Sequence, residues 1–166
     1  MRVADKKTTP KSTRPQMPGY GLPKGNKGLL PWAWAEQRLK KSHNYWISTA
    51  RPDGRPHMMV IWGLWIDNAF YFSSGAQSRK AKNLESNPHC VIGTEMAQEA
   101  VIVEGEASLL PQESKASIFK PYQKKYKLDM SQFSSEPVFV VHPTVVFGLP
   151  EKKYPKSVTR WEFKAK

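Results

Sequence analysis

The stretch His57-Met-Met-Val-Ile-Trp-Gly-Leu-Trp-Ile66, followed by Asp67-Asn68 and Phe70-Tyr-Phe-Ser73, decides the fold. One alternating face of the first run carries Met58, Val60, Trp62, Leu64 and Ile66; the other carries His57, Met59, Ile61, Gly63 and Trp65. Both faces are apolar, so the spacing predicts one strand over 57–66 covered on two sides, by a barrel interior and by a subunit or ligand. Asp67-Asn68 predicts a tight hairpin turn, with Phe70 to Ser73 returning as its partner strand.

Working outward, Tyr45 to Thr49 is aromatic and β-branched and reads as a strand, joined to the long run through the turn Arg51-Pro-Asp-Gly54. Before it, Pro31 opens a helix through Trp32, Trp34, Ala35, Arg38 and Leu39 that closes near Ser42. After it, Ser78 opens a short amphipathic helix through Leu84, stopped before Pro88. Cys90–Thr94 and Ala100–Leu109 read as strands, and 112–126 as a helix that Pro121 breaks or kinks. Two strands, Val138–Val141 and Thr144–Leu149, flank His142-Pro143, and 157–163 alternates as a last strand. Consecutive hairpins without alternating strand and helix point to a mostly β (α+β) fold, an antiparallel barrel with peripheral helices.

The 166 residues suit one folded domain, and 39% hydrophobic content supports a packed core. Charge is uneven: the net is +12, and residues 1–28 hold seven Lys and Arg against Asp5, which is +6 of that total. This segment is rich in Pro, Gly, Ser and Thr and has no hydrophobic period, so it is expected to be a basic, disordered N-terminal arm ahead of a domain over 29–166. The lone Cys90, expected to be buried and inert, excludes an internal disulfide framework. No apolar run reaches the ~20 residues of a membrane helix. The basic start has no apolar stretch behind it, and the expected location is cytoplasmic.

Chemistry concentrates in Ser73-Ser-Gly-Ala-Gln-Ser-Arg-Lys-Ala-Lys-Asn-Leu84. Hydroxyls of Ser73, Ser74 and Ser78 precede the cations Arg79 and Lys80 at the start of a helix. A guanidinium fork, a compact ammonium and free helix N–H groups together suit a phosphate. The four histidines, His43, His57, His89 and His142, have no metal-ligand spacing, so no metal is expected. Glu104, set among valines, is expected to form a structural ion pair.

The order Asn44-Tyr-Trp-Ile-Ser-Thr49, Arg51-Pro-Asp-Gly-Arg-Pro-His57, Trp62-Gly-Leu-Trp65, Tyr71-Phe-Ser-Ser74, Ser78-Arg-Lys-Ala-Lys-Asn-Leu84, Asn87-Pro88, Val103-Glu-Gly-Glu106 and Thr159-Arg-Trp-Glu-Phe163 resembles the pyridoxamine 5′-phosphate oxidase-like superfamily, in its flavin and deazaflavin oxidoreductase branch. The resemblance covers roughly residues 32 to 163 and is most specific at Ser-Arg-Lys. It implies an antiparallel split β-barrel homodimer with cofactor sites at the interface. The strand His57, Met58, Met59, Val60, Ile61 and Trp62 would lie along the flavin ring. Ser73, Ser74, Ser78, Arg79, Lys80 and Asn83 would serve the phosphate end, and Arg160 and Trp161 would approach from the C-terminus. The implied cofactor is FMN or, alternatively, coenzyme F420.

The chain departs from true pyridoxamine phosphate oxidases. His57 and Trp62 stand where those enzymes have Arg and Lys, and the later helix carries Tyr122, Lys124, Lys125 and Tyr126 without their Arg. A flavin- or deazaflavin-dependent oxidoreductase acting on a small molecule is therefore expected, rather than one oxidising vitamin B6. A haem-binding relative with His57 as ligand is the alternative. Nucleic-acid binding ranks lower, because the body's aromatics sit on apolar strands without interleaved Lys or Arg.

Overall fold

A computed structural model describes residues 9–164. The elements are β1 (Lys11–Thr13), α1 (Trp32–Lys41), β2 (Tyr45–Ala50), β3 (Pro56–Ile61), β4 (Leu64–Ile66), β5 (Ala69–Ser73), α2 (Arg79–Ser86), β6 (His89–Thr94), β7 (Glu99–Leu109), α3 (Ala116–Tyr126), β8 (Val138–Pro150) and β9 (Thr159–Glu162). Every strand pairing is antiparallel.

Pairing runs β3-β2-β6-β7-β8-β5-β4, and β9 and β1 extend the sheet from the other half of β8. Only Trp62-Gly63 separates β3 from β4, yet the two strands stand at opposite ends of that ladder. The two-residue link brings the ends together and curls the sheet into a barrel. Because β3 and β4 do not pair, the barrel stays split and β3 keeps a free edge.

The expected single strand over 57–66 is thus two strands. The break falls at Gly63, whose N–H donates to Tyr126 Oη at 2.8 Å instead of to a neighbouring strand. Its carbonyl accepts from Tyr126 Oη at 2.8 Å and from Lys125 Nζ at 2.9 Å. A Cβ at residue 63 would collide with the Phe70 ring and lie 2.8 Å from Tyr71 O. Within the single chain Met58, Met59 and Val60 are 59%, 46% and 46% exposed, and the cover expected on the open side is a subunit or ligand. The hairpin after β4 turns at Asp67 and Asn68, both at positive φ (48° and 59°), as a tight two-residue turn requires.

The expected pair of strands around His142-Pro143 is one strand, β8. Its register against β7 shifts at Glu104/Gly105 and leaves Thr144 out of the pairing. This bulge absorbs Pro143, which has no N–H to give a ladder, and Thr144 Oγ1 donates to Glu104 O at 3.1 Å. Glu104 itself is exposed opposite Val91 on the outer face. No ion pair joins it among the described residues, because water already solvates the carboxylate. Cys90 is buried as expected, and burial pushes its thiol up to about 12.

α3 runs through Pro121 without ending. Ile118, Tyr122 and Tyr126 on its buried face lie on both sides of the proline and pack with Leu64 and Met130, which holds the helix despite one missing N–H. The main core lies between α1 and the barrel, where Trp32 meets Trp161 edge-on at 5.5 Å and Trp65 at 6.0 Å.

The expected disordered arm needs correction over its described part. Lys11–Thr13 pairs with β9, and Arg14 donates to the carbonyls of Lys156 (2.6 Å), Val158 (3.1 Å) and Lys27 (2.8 Å). One guanidinium with several backbone acceptors orders a segment that has no apolar period of its own. Residues 1–8 of the arm lie outside the described residues.

Candidate functional site

β3, the end of β5 and the start of α2 meet at a cleft of about 330 Å³, lined by Val60, Ile61, Trp62, Ser73, Lys80 and Tyr122. Sheet pairing reaches β3 from one side only, so alternate N–H and C=O groups along its other edge stay free. The cleft therefore offers backbone donors, an apolar floor, an aromatic wall, a hydroxyl and an ammonium. A larger surface hollow of about 510 Å³ on α3, among Lys120, Gln123, Lys124 and Lys127, has only exposed lysines and one amide.

The cationic end is built by α2. Ser78 is its N-cap in extended conformation, and Ser78 Oγ accepts from Ala81 N at 3.3 Å. Ser74 Oγ lies 2.8 Å from Ser78 Oγ, and Ser74 N donates to Pro137 O at 3.2 Å. Ser73 Oγ reaches the same carbonyl at 3.2 Å, so the end of β5 is held against the strand leading into β8. Arg79 is exposed and Lys80 half-buried, with the Lys80 ammonium held below the usual lysine value by desolvation.

Asn83, one turn further along α2, is 1% exposed and donates from Nδ2 to Thr49 Oγ1 at 2.9 Å. Thr49 stands opposite His57 in the β2–β3 ladder. This bond docks α2 on the barrel, so Asn83 orients the cationic turn from beneath. Asn83 Oδ1 remains without a partner among the described residues, as do His57 Nδ1 and Arg51 Nε, and all three atoms are shielded from solvent. Of these atoms Arg51 Nε is a donor and His57 Nδ1 becomes one on protonation, so both suit an anion, whereas Asn83 Oδ1 is an acceptor and calls for a donor. The residues present fit a planar group with an anionic tail.

Of the aromatic wall, Trp62 was an expected site residue, whereas Tyr122 and Tyr126 were not singled out as its partners. Trp62 stacks on Tyr126 at 4.7 Å and 9°, donates from Nε1 to Asn44 Oδ1 at 3.1 Å, and is 40% exposed. Tyr122 packs on Tyr126 at 4.7 Å, and Tyr126 Oη lies 2.8 Å from His43 O, which shares the single phenol proton with Gly63 O. Lys125 Nζ donates to Tyr45 Oη at 2.8 Å, and burial pushes the ammonium down to about 8. Burial pushes Tyr126 up to about 12. The recurrence Ile118, Tyr122, Tyr126 was the available signal, since it places both phenols on one helical face.

The cleft brings together Val60, Ile61, Trp62, Ser73 and Lys80, with Ser74, Ser78 and Arg79 at its cationic end. Met58 and Met59 lie further along β3, and His57 lies near its start. Two expected site residues fall elsewhere. Trp161 is fully buried against Trp32, because alternation along β9 turns its ring into the core. Arg160 points out of the same strand and is ion-paired with Glu162. No group of three or more metal-ligating side chains exists among the described residues, and no helix there is long and apolar enough to cross a membrane.

A family model described as pyridoxamine 5′-phosphate oxidase matches residues 33–149. No curated protein sequence matches the chain. Among solved structures, a conserved hypothetical protein from Mycobacterium tuberculosis is 19% identical with a TM-score of 0.68, covering 79% of this chain and 92% of its own. An F420 reductase is 19% identical at a TM-score of 0.57, covering 74% and 98%. The haem storage protein HutZ from Vibrio cholerae is 17% identical at a TM-score of 0.57, covering 68% and 87%.

Proposed function

The chain belongs to the pyridoxamine 5′-phosphate oxidase family, of split-barrel fold, and from that premise we propose that it is a flavin- or deazaflavin-dependent oxidoreductase moving hydride to or from a small organic substrate. The observation that carries this reading is the cleft itself. A free strand edge at Val60–Ile61, an exposed Trp62 and a capped cationic turn at Ser78–Lys80 converge on one space. An isoalloxazine or deazaflavin ring, when bound, supplies the hydride chemistry.

The protein's part is binding and orientation. Free backbone N–H groups of β3 would donate to ring carbonyls, where negative charge gathers on reduction, a preorganisation worth about 3 kcal/mol. Trp62, fixed by Tyr126 and Asn44, would bound the ring plane. Arg79, Lys80, Ser74 and Ser78 would hold the phosphate. FMN needs no more than this, so FMN is the favoured cofactor and coenzyme F420 the alternative.

The working unit is proposed to be a cytoplasmic homodimer. Trp46 (44% exposed), Val60 (46%), Met58 (59%) and Val91 (36%) lie on one outward face of adjacent strands, and Val60 also borders the cleft. A second copy seated there would cover the apolar face and close the cofactor site at once.

The test is an absorption spectrum of the purified protein, then titration with FMN and with F420. Binding of one of them, weakened roughly a hundredfold by the double change Arg79→Ala and Lys80→Ala, is the expected result, since hydrogen bonds to charged groups contribute about 1.5–3 kcal/mol each. A haem band instead, or no binding of either cofactor, would overturn the reading.

A further inference from the structure

His57 stands at the β3 end of the cationic cluster, opposite Thr49, and Thr49 is the residue to which Asn83 ties α2. Arg79 and Lys80 precede Asn83 by four and three residues, so they project from the same side of α2 toward the β2–β3 ladder. Arg51 reaches the same place from the end of β2. The charged groups that act on His57 are Arg51, Lys80 and Arg79, and no carboxylate is among them. The one acid in the adjoining turn, Asp53, is already held by Arg55, through Nε at 2.9 Å and Nη2 at 2.7 Å.

Partial desolvation and the three cations hold the imidazole below its ordinary value, so it is neutral around pH 7. Its shielded Nδ1 and the shielded Nε of Arg51 have no partner among the described residues.

We propose that Arg51 and His57 complete the anion cradle begun by Arg79 and Lys80, and that a phosphate-bearing ligand binds there together with one proton, taken from solvent by the His57 imidazole. This deepens, and rests on, the cofactor reading above. The balance is simple: neutral imidazole plus a proton from bulk water gives imidazolium, with no bond made or broken in the ligand. The driving force is electrostatic. A phosphate dianion offsets the three cations that repel a fourth charge, and it offers an oxygen acceptor to the new N–H. An opposite charge within about 4–6 Å typically raises such a group by 1–3 pH units. Across the window between the depressed free value and the raised bound one, affinity falls as pH rises, up to about tenfold per pH unit.

The test uses the full-length protein with two probes, inorganic phosphate and FMN. Imidazole resonances of the four histidines are followed by NMR through pH 5–8, with and without each probe. FMN affinity is measured at pH 6 and pH 8 in wild type and in His57→Gln. The expected result is a titration midpoint for His57 that lies below the ordinary histidine value and rises by about one unit or more with either probe. FMN affinity then falls about tenfold more steeply with pH in wild type than in His57→Gln, a comparison that cancels the phosphate's own ionisation. If FMN binds and the His57 midpoint does not move, the inference fails while the cofactor reading stands. If FMN does not bind but inorganic phosphate still raises the midpoint, the cofactor reading fails and the anion site stands. If neither probe moves it, the inference fails.

Discussion

Gly63 shows how one residue shapes the cleft. It ends β3, redirects the chain to the far end of the ladder and gives both its backbone groups to α3 side chains. Gly63→Ala would drive a methyl group into Phe70 and is expected to destabilise the fold by about 2–3 kcal/mol, measured by urea denaturation. Lys125, on the other side of that contact, makes a pH-dependent prediction. Its folded value of about 8 lies below the ordinary 10.5, so between those limits the unfolded chain keeps a proton that the folded chain has lost. Stability contributed by this group therefore rises with pH through the window, and the burial penalty on the charged form is fully present below pH 8. Lys125→Met is expected to flatten the rise seen between pH 8 and 9.5. A rise equally steep in the variant would assign it to another group. Measurement stays below pH 10 because Tyr126, raised by burial, pulls stability the opposite way above that point.

At the scale of elements, α2 is short and depends on both of its attachments, the Ser78 cap and the Asn83–Thr49 bond. Ser78→Ala removes an N-cap acceptor and should cost about 1 kcal/mol in thermal or chemical unfolding. It should also weaken cofactor binding, because the hydroxyl sits beside the proposed phosphate position. Asn83→Ala should cost a comparable or larger amount by leaving Thr49 Oγ1 buried without its donor. α3 acts as a brace: Tyr122 and Tyr126 carry the aromatic wall while Lys125 pins the strand break. Tyr126→Phe keeps the stack on Trp62 but takes the phenol from the Gly63 N–H and the His43 carbonyl, while Lys125 still serves the Gly63 carbonyl. Its expected signature is reduced stability with Trp62 still quenched by bound FMN.

For the whole molecule, the exposed apolar strip of β2, β3 and β6 is the surface on which the proposed second copy would sit. Val60→Glu or Trp46→Glu would place a charge in the centre of the proposed dimer contact. Each is expected to shift the protein from dimer to monomer in sedimentation velocity and to lower cofactor affinity in parallel. A wild-type protein that sediments as a monomer would remove the second copy from the proposal.

The sequence by itself determined the strand-rich order, the Asp67-Asn68 hairpin, the Ser78 cap and the Ser-Arg-Lys start of α2. Each of these rests on local chemistry: alternation, turn geometry, and a hydroxyl at the right offset from free N–H groups. Only the tertiary structure decided where the runs broke. Gly63 is a break because Tyr126 and Lys125, more than sixty residues away in sequence, take its backbone groups. Pro143 lies within a single strand because a bulge at Thr144 absorbs it. The same holds for the inward turn of Trp161, the ordering of the arm by Arg14 and the aromatic wall on α3. Each depends on which distant group supplies a hydrogen bond or fills a volume, and no window of neighbouring residues carries that information.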